Sequence, residues 1–189
     1  DLAFRDTLFQ LAGGTVTGTG LLVNGLWDAD VSLANVNLNE ISEDLTGEVS
    51  GDFTFSGNTA DTRIGAIAAA GDVAFSNGLA TFNPEFATLN QPLTAQVAWN
   101  GQQIEILQSR TERITATGTI TPPFSNGFDG LERFDLSINA QDYDLNGMPF
   151  VDIPDIFTPA GRADFPCTLS RKPPAPCVCG VLPASFGIP

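Results

Sequence analysis

Asp142, Asp144 and Asn146, in the stretch DYDLNG, are the residues best spaced to do chemistry. Two aspartates, an amide and then Gly147 at alternate and adjoining positions form the opening half of a calcium-binding loop. The place where a bidentate glutamate should close the cage is Ile153, and no helical pattern flanks the stretch. A strand end followed by an Asx turn accounts for the same residues, so the reading assigns no metal.

Other chemistry is weaker. The chain contains no histidine, which removes His-based triads, His metal ligands and the commonest general base. The acidic pairs Asp28/Asp30 and Glu43/Asp44 could suggest a glycosidase, yet nothing sets a pair across a cleft. A β-helical polysaccharide lyase would need clustered acids that the sequence does not locate. Cys167, Cys177 and Cys179 lack the paired Cys-x-x-Cys spacing of structural zinc. Neither a Gly-Lys-Ser/Thr phosphate loop nor a Gly-x-Ser-x-Gly elbow occurs. Trp27 and Trp99, each beside an Asn-Gly pair, read as core anchors rather than sugar platforms. The expectation is a non-enzymatic chain without a cofactor.

Charge narrows the partners. Twenty-two acidic residues against eight basic ones give a net charge of −14. Phosphate backbones and anionic lipid surfaces both repel such a chain, so no nucleic-acid partner is expected. The most apolar run, IGAIAAAG at Ile64–Gly71, is far short of the ~18 residues of a membrane span. No direct membrane insertion by this segment is expected. The chain opens on Asp1 without an initiator Met or signal peptide, and reads as a fragment or processed chain.

The elements that must position any site are strands. GEVSGDFTFSG sets Val49, Gly51, Phe53 and Phe55 against Glu48, Ser50, Asp52 and Thr54. GDVAFSNG puts Val73 and Phe75 on one face; ERITATGTI groups Ile114, Ala116, Gly118 and Ile120. RFDLSINAQDY groups Phe134, Leu136, Ile138 and Ala140 against Asp135, Ser137 and Asn139. Such period-two alternation marks half-buried strands. Leu33–Leu45 reads as strand and then a short turn. Turn residues at Gly13-Gly14, Asn24-Gly25, Asn77-Gly78, Asn100-Gly101 and Asn146-Gly147, among others, suggest a meander. In AWNGQQIEI, a two-residue type I′ turn at Asn100-Gly101 would pair Trp99 with Gln102, Val97 with Ile104 and Ala95 with Ile106. Glycines recur within strands, either as bends of a twisted sheet or as gaps that hold a groove open. From Asp144 onward proline and turn residues dominate, and residues 166–189 read as a loosely structured Pro/Cys-rich tail.

A string of segments now carries a resemblance. GLLVNGLWDADVSLANVNLNEIS, LTGEVSGDFTFSG, AAGDVAFSNGLA, AQVAWNGQQIEILQSRTERITATGTI, FDLSINAQDYDLNGMPF and AGRADF, from about Gly13 to Phe165, resemble the β-repeat region of TamB-like proteins in their cyanobacterial and plastid form. That family is the inner-membrane component of the translocation and assembly module, within the AsmA-like superfamily. The resemblance implies an all-β fold, a long curved antiparallel sheet forming a taco-like trough with an apolar concave face over residues 1–165. It implies a periplasmic or cell-envelope location, inner-membrane anchored in the full-length protein, with a plastid envelope as a further setting. It implies phospholipid acyl chains as ligand, or assistance to outer-membrane proteins, and an Omp85-type barrel reached through other parts of the full-length protein. The groove would be distributed over Phe53, Phe55, Val73, Phe75, Val97, Trp99, Ile104, Ile106, Ile114, Ile120, Phe134, Leu136 and Ile138. The competing reading is a β-solenoid or sandwich module of a surface adhesin or glycan-binding protein, its apolar face closed on a dry core.

Overall fold

The computed structural model describes residues 1–43, 45–81, 91–121, 133–144, 161–171 and 178–181. Eleven strands follow one another: β1 (Leu2–Leu11), β2 (Gly14–Val23), β3 (Leu26–Asn37), β4 (Glu48–Asn58), β5 (Ala68–Phe75), β6 (Leu93–Trp99), β7 (Ile104–Arg110), β8 (Ile114–Thr121), β9 (Arg133–Asp144), β10 (Arg162–Arg171) and β11 (Val178–Val181). Each pairs antiparallel with its sequence neighbours in one sheet, whose edges are β1 and β11. The fold is all-β, an open antiparallel meander that does not close into a barrel. Among the described residues short 3₁₀ turns lie at Leu38–Glu40, Ile64–Ala66 and Gly78–Thr81, and no helix is long and apolar enough to cross a membrane.

Residues directly opposite in an antiparallel ladder project to the same side, so one face can be followed across the sheet. One row runs Gly18, Val31, Phe53, Gly71, Val97, Ile106, Gly118, Leu136. A second runs Gly20, Ala29, Phe55, Ala69, Trp99, Ile104, Ile120, Phe134. On the other side of the first, Val16, Leu33, Gly51, Val73 and Ala95 continue the same face. The opposite face reads Thr17, Ser32, Asp52, Asp72, Gln96, Gln108.

Bulges keep that face in phase. Asn35 adopts a left-handed φ of 53°, where the β3–β4 register shifts between Leu33 and Val36. Asparagine tolerates that region because its short amide does not crowd the carbonyl. Its N–H donates to Ser50 Oγ at 2.9 Å. The added residue carries the apolar phase from Val31 and Leu33 over to Val36 and Leu38. Val36, 1% exposed, then joins Leu38, Val49 and Val73 in the buried cluster, with Leu45, Phe75 and Ala95 packed around it. This cluster is local, and Leu93, Ala140 and Cys167 are buried outside it. It lies where the β3–β4 connection folds onto one end of the apolar face, while much of the rest of that face is half-buried.

Three local readings need correction. The β6–β7 hairpin pairs Trp99 with Ile104 and Val97 with Ile106, and Ala95 lies opposite Ser109. The loop is thus two residues longer than a type I′ turn allows. Asn100 Oδ1 instead accepts hydrogen bonds from the Gln102 and Gln103 N–H groups, both at 3.1 Å, as an Asx turn. A slip of two residues leaves every side chain on its expected face. The first hairpin turns at Ala12-Gly13 rather than Gly13-Gly14. Gly14 pairs with Leu11 in the ladder, and a Cβ there would sit 2.6 Å from the Ala34 and Asn35 carbonyl oxygens. Asn24-Gly25 does form the left-handed pair, with φ of 50° and 82°. Finally, β10 crosses the boundary that composition suggested at residue 166, and β11 pairs on Cys167–Ser170. Pro166 fits because it follows the register shift between Ala163 and Phe165 and lies outside the β11 ladder. Cys167 is buried and disulfide-bonded. Turn candidates at Asn83-Pro84, Pro122-Pro123, Asn126-Gly127 and Asn146-Gly147 lie outside the described residues.

The strand glycines are close-packed. A Cβ on Gly71 would lie 2.2 Å from the Asp52 carbonyl oxygen and 2.6 Å from the Phe53 ring. Gly20 is covered in the same way by Phe4, and Gly57 by Trp27, each glycine directly opposite its aromatic. At these positions rings lie over the glycines, so the glycines do not hold gaps open. Gly71→Ala is expected to cost about 1–3 kcal/mol through overpacking, read as a lower urea midpoint at unchanged slope. An unchanged midpoint would mean that the strands separate freely at this point.

Candidate functional site: the apolar face of the sheet

The sheet register brings the expected groove residues to one face. Phe53, Val97, Ile106 and Leu136 occupy one row, and Phe55, Trp99, Ile104, Ile120 and Phe134 the next. Val73 and Ile138 lie in the row beyond, Phe75 opposite Val49, and Ile114 opposite Ala140. β2 and β3 extend the same face with Val16, Trp27, Val31 and Leu33, which the candidate set left out. The signal for them was present: LWDADVSL alternates as cleanly as GDFTF does.

Aromatic side chains run along the face from Phe53, which packs against the buried cluster, to Phe55 and Trp99 further from it. The Phe53 and Phe55 rings are 6.2 Å apart and tilted by 33°. Trp99 Nε1 donates to the Ile64 carbonyl at 3.3 Å, tying β6 to the connection that precedes β5. That connection is braced locally, since Asp61 accepts from Arg63 Nε at 2.9 Å and Nη2 at 2.6 Å. The Arg63 guanidinium holds the Asp61 carboxyl down at about 2. Gly65 and Gly101 meet at the same end, where a Cβ on Gly101 would lie 2.1 Å from the Gly65 carbonyl oxygen. Trp27 lies over Gly57. Both tryptophans are thus built into the sheet.

The polar face carries two shallow, open depressions. The larger, about 540 Å³, is lined by Ser50, Asp52, Asp72, Thr94, Gln96, Gln108 and Arg110. The smaller, about 390 Å³, shares Asp52 and Asp72 and adds Asp30, Ser32 and Thr54. Ser32 Oγ donates to Asp52 at 2.5 Å, and Asp52 lies directly opposite Asp72. Among the described residues no three His, Cys, Asp or Glu side chains converge as a metal site.

The calcium candidates have other engagements. Asp142 has a left-handed φ of 48°, and its carboxylate accepts hydrogen bonds from both Arg113 and Arg162. Its own N–H donates to Asp164 Oδ1 at 2.6 Å. Asn146 lies outside the described residues. This ion cluster joins the β7–β8 connection, the end of β9 and the start of β10. The Arg113 hydrogen bond, with the Arg162 charge behind it, holds the Asp142 carboxyl below its usual range. A lowered folded-state value means the contribution is present above the ordinary carboxylate range and lost as pH falls through the folded value. Asp142→Asn keeps the left-handed backbone and removes only the charge. Its unfolding midpoint is expected to lie below that of the parent at about pH 7 and to converge on it in acid, below the ordinary carboxylate range. A gap of equal size at both values would show that the ion cluster contributes nothing. Compared with known proteins, the chain matches no family model, no curated protein and no solved structure.

Proposed function

We propose that the apolar face binds phospholipid acyl chains. In this reading the chain is a cell-envelope segment, periplasmic and anchored to the inner membrane through the full-length protein. It conducts lipid between the inner and outer membranes, or assists outer-membrane protein assembly toward an Omp85-type barrel. One observation carries the reading. An apolar stripe runs in register from β2 to β9 on one face of a single sheet, and no second sheet faces it among the described residues.

The dimensions are compatible. Strands lie about 4.8 Å apart, so the row from Val31 on β3 to Leu136 on β9 spans about 29 Å. One leaflet's hydrocarbon is about 15 Å thick, so an acyl chain can lie across several strands. Each buried methylene contributes ~0.8 kcal/mol, and binding spread along a stripe requires no single decisive residue. Acidic side chains such as Asp30, Asp52, Asp72 and Asp135 crowd the other face, which keeps that side in water and away from anionic headgroups.

The competing adhesin or glycan-binding reading draws on the polar-face depression around Asp52, Gln96, Gln108 and Arg110. It expects parallel coils or two facing sheets, and the described strands form a single antiparallel one. Native mass spectrometry of the purified full chain separates the two. Phospholipid is expected to co-purify with the parent and to be lost in Val97→Asp and Ile104→Asp, with the β-sheet circular dichroism retained. A lipid-free parent that folds cooperatively would sink the acyl-chain reading and move glycan binding ahead.

A further inference from the structure

The most apolar run of the chain, IGAIAAAG at Ile64–Gly71, does not lie wholly in the sheet. Its second half enters β5 at Ala68, but its first half forms the 3₁₀ turn Ile64–Ala66 on the β4–β5 connection. There Ile64 is 56% exposed. A lone exposed isoleucine would mean little. This one stands at the rim of the apolar face, because the Trp99 indole N–H donates to its carbonyl at 3.3 Å. Trp99 shares a row of that face with Phe55 and Ile104.

The connection is held differently in its two halves. The first half is pinned. Thr59 donates to the Gly25 carbonyl through its N–H at 2.8 Å and its Oγ1 at 3.2 Å. The Ala60 N–H donates to Asn58 Oδ1 at 2.9 Å and the Asp61 N–H to the Asn58 carbonyl at 3.0 Å, and Arg63 closes on the Asp61 carboxylate. The turn that follows is held more lightly. Its hydrogen bond to another element, among the described residues, is the one from Trp99. Arg63 gives it no side-chain cap. Gly65 rests on Gly101 backbone against backbone, with no side chain to lock the contact. An apolar turn, hinged on a rigid base and latched by a residue of the groove, is built to move against the groove.

We infer that the turn Ile64–Ala66 is a lid on the apolar face. Hinged at Arg63 and latched through Trp99, it folds over an acyl chain lying beside Trp99 and buries Ile64 against it. The lid rests on the acyl-chain reading of the face and adds the regulation of that site. An empty groove offers Ile64 nothing to cover, whereas a bound chain offers apolar surface, so occupancy and closure favour one another.

Hydrogen exchange of the full chain tests this, with dodecylphosphocholine below its micelle concentration as a single-chain probe. Its zwitterionic head avoids repulsion by a chain of net charge −14. In the free chain the Ala66 and Ile67 amides are expected to exchange about tenfold faster than those of Thr59 and Asp61. With the probe bound they should slow by about tenfold, while Thr59 and Asp61 stay unchanged. Trp99→Phe keeps a ring but removes the N–H donor, and should speed Ala66 and Ile67 in the free chain. Ile64→Ser is expected to bind the probe about tenfold more weakly by native mass spectrometry and to lose the protection. A probe that binds without slowing Ala66 and Ile67 overturns the lid and leaves the acyl-chain reading standing. Equal exchange in both halves of the free connection overturns it as well. A probe that does not bind at all removes the lid together with the reading beneath it.

Discussion

A sheet that buries only one of its faces must keep every strand in the same phase. Side chains alternate with a period of two, so a one-residue slip would turn a strand's apolar set outward. Phe53, Val97, Ile106 and Leu136 share a row only because the ladders from β4 to β9 preserve parity. Where the sequence shifts its own phase, as between Leu33 and Val36, the chain inserts a bulge. The bulges in β1, β3, β7 and β9 correct the phase, and each also bends the sheet.

The second constraint follows from the first. Large side chains cannot fill every position of a twisted, one-sided face, and glycines stand opposite aromatics at Phe4, Trp27 and Phe53. The ring covers the glycine backbone and restores the packing that the missing side chain removes. Bulk is thereby moved sideways within the face. The result is a continuous apolar surface with a core that, among the described residues, is fully buried at only a few.

That economy leaves surface in need of company. Among the described residues no second layer opposes the sheet, so its apolar face is where other molecules gain most by binding. Connections at one end fold onto the face and bury Val36, Leu38 and Val49, whereas the ion cluster of Arg113, Asp142 and Arg162 ties strand ends together. Asp142 shows how a motif can mislead. Its spacing suggests a cation ligand, but two guanidinium groups brought in from other elements occupy its carboxylate.

By itself the sequence determined the strands, their faces and the meander, because alternation and turn chemistry act within a few residues. It set Phe53 with Phe55, Ile114 with Ile120 and Phe134 with Ile138 on common faces before any pairing was known. The tertiary structure alone decided which residues lie opposite one another. Asn24-Gly25 forms a left-handed turn, while Asn100-Gly101 forms a longer Asx loop beside Gly65, although the two pairs are identical. Strand β10 runs through Pro166 because the β11 ladder begins only at Cys167 and asks nothing of the proline nitrogen. Faces are local properties of a chain. Registers, loop lengths and ion partners depend on contacts between residues far apart in sequence, and so they are settled only when the strands meet.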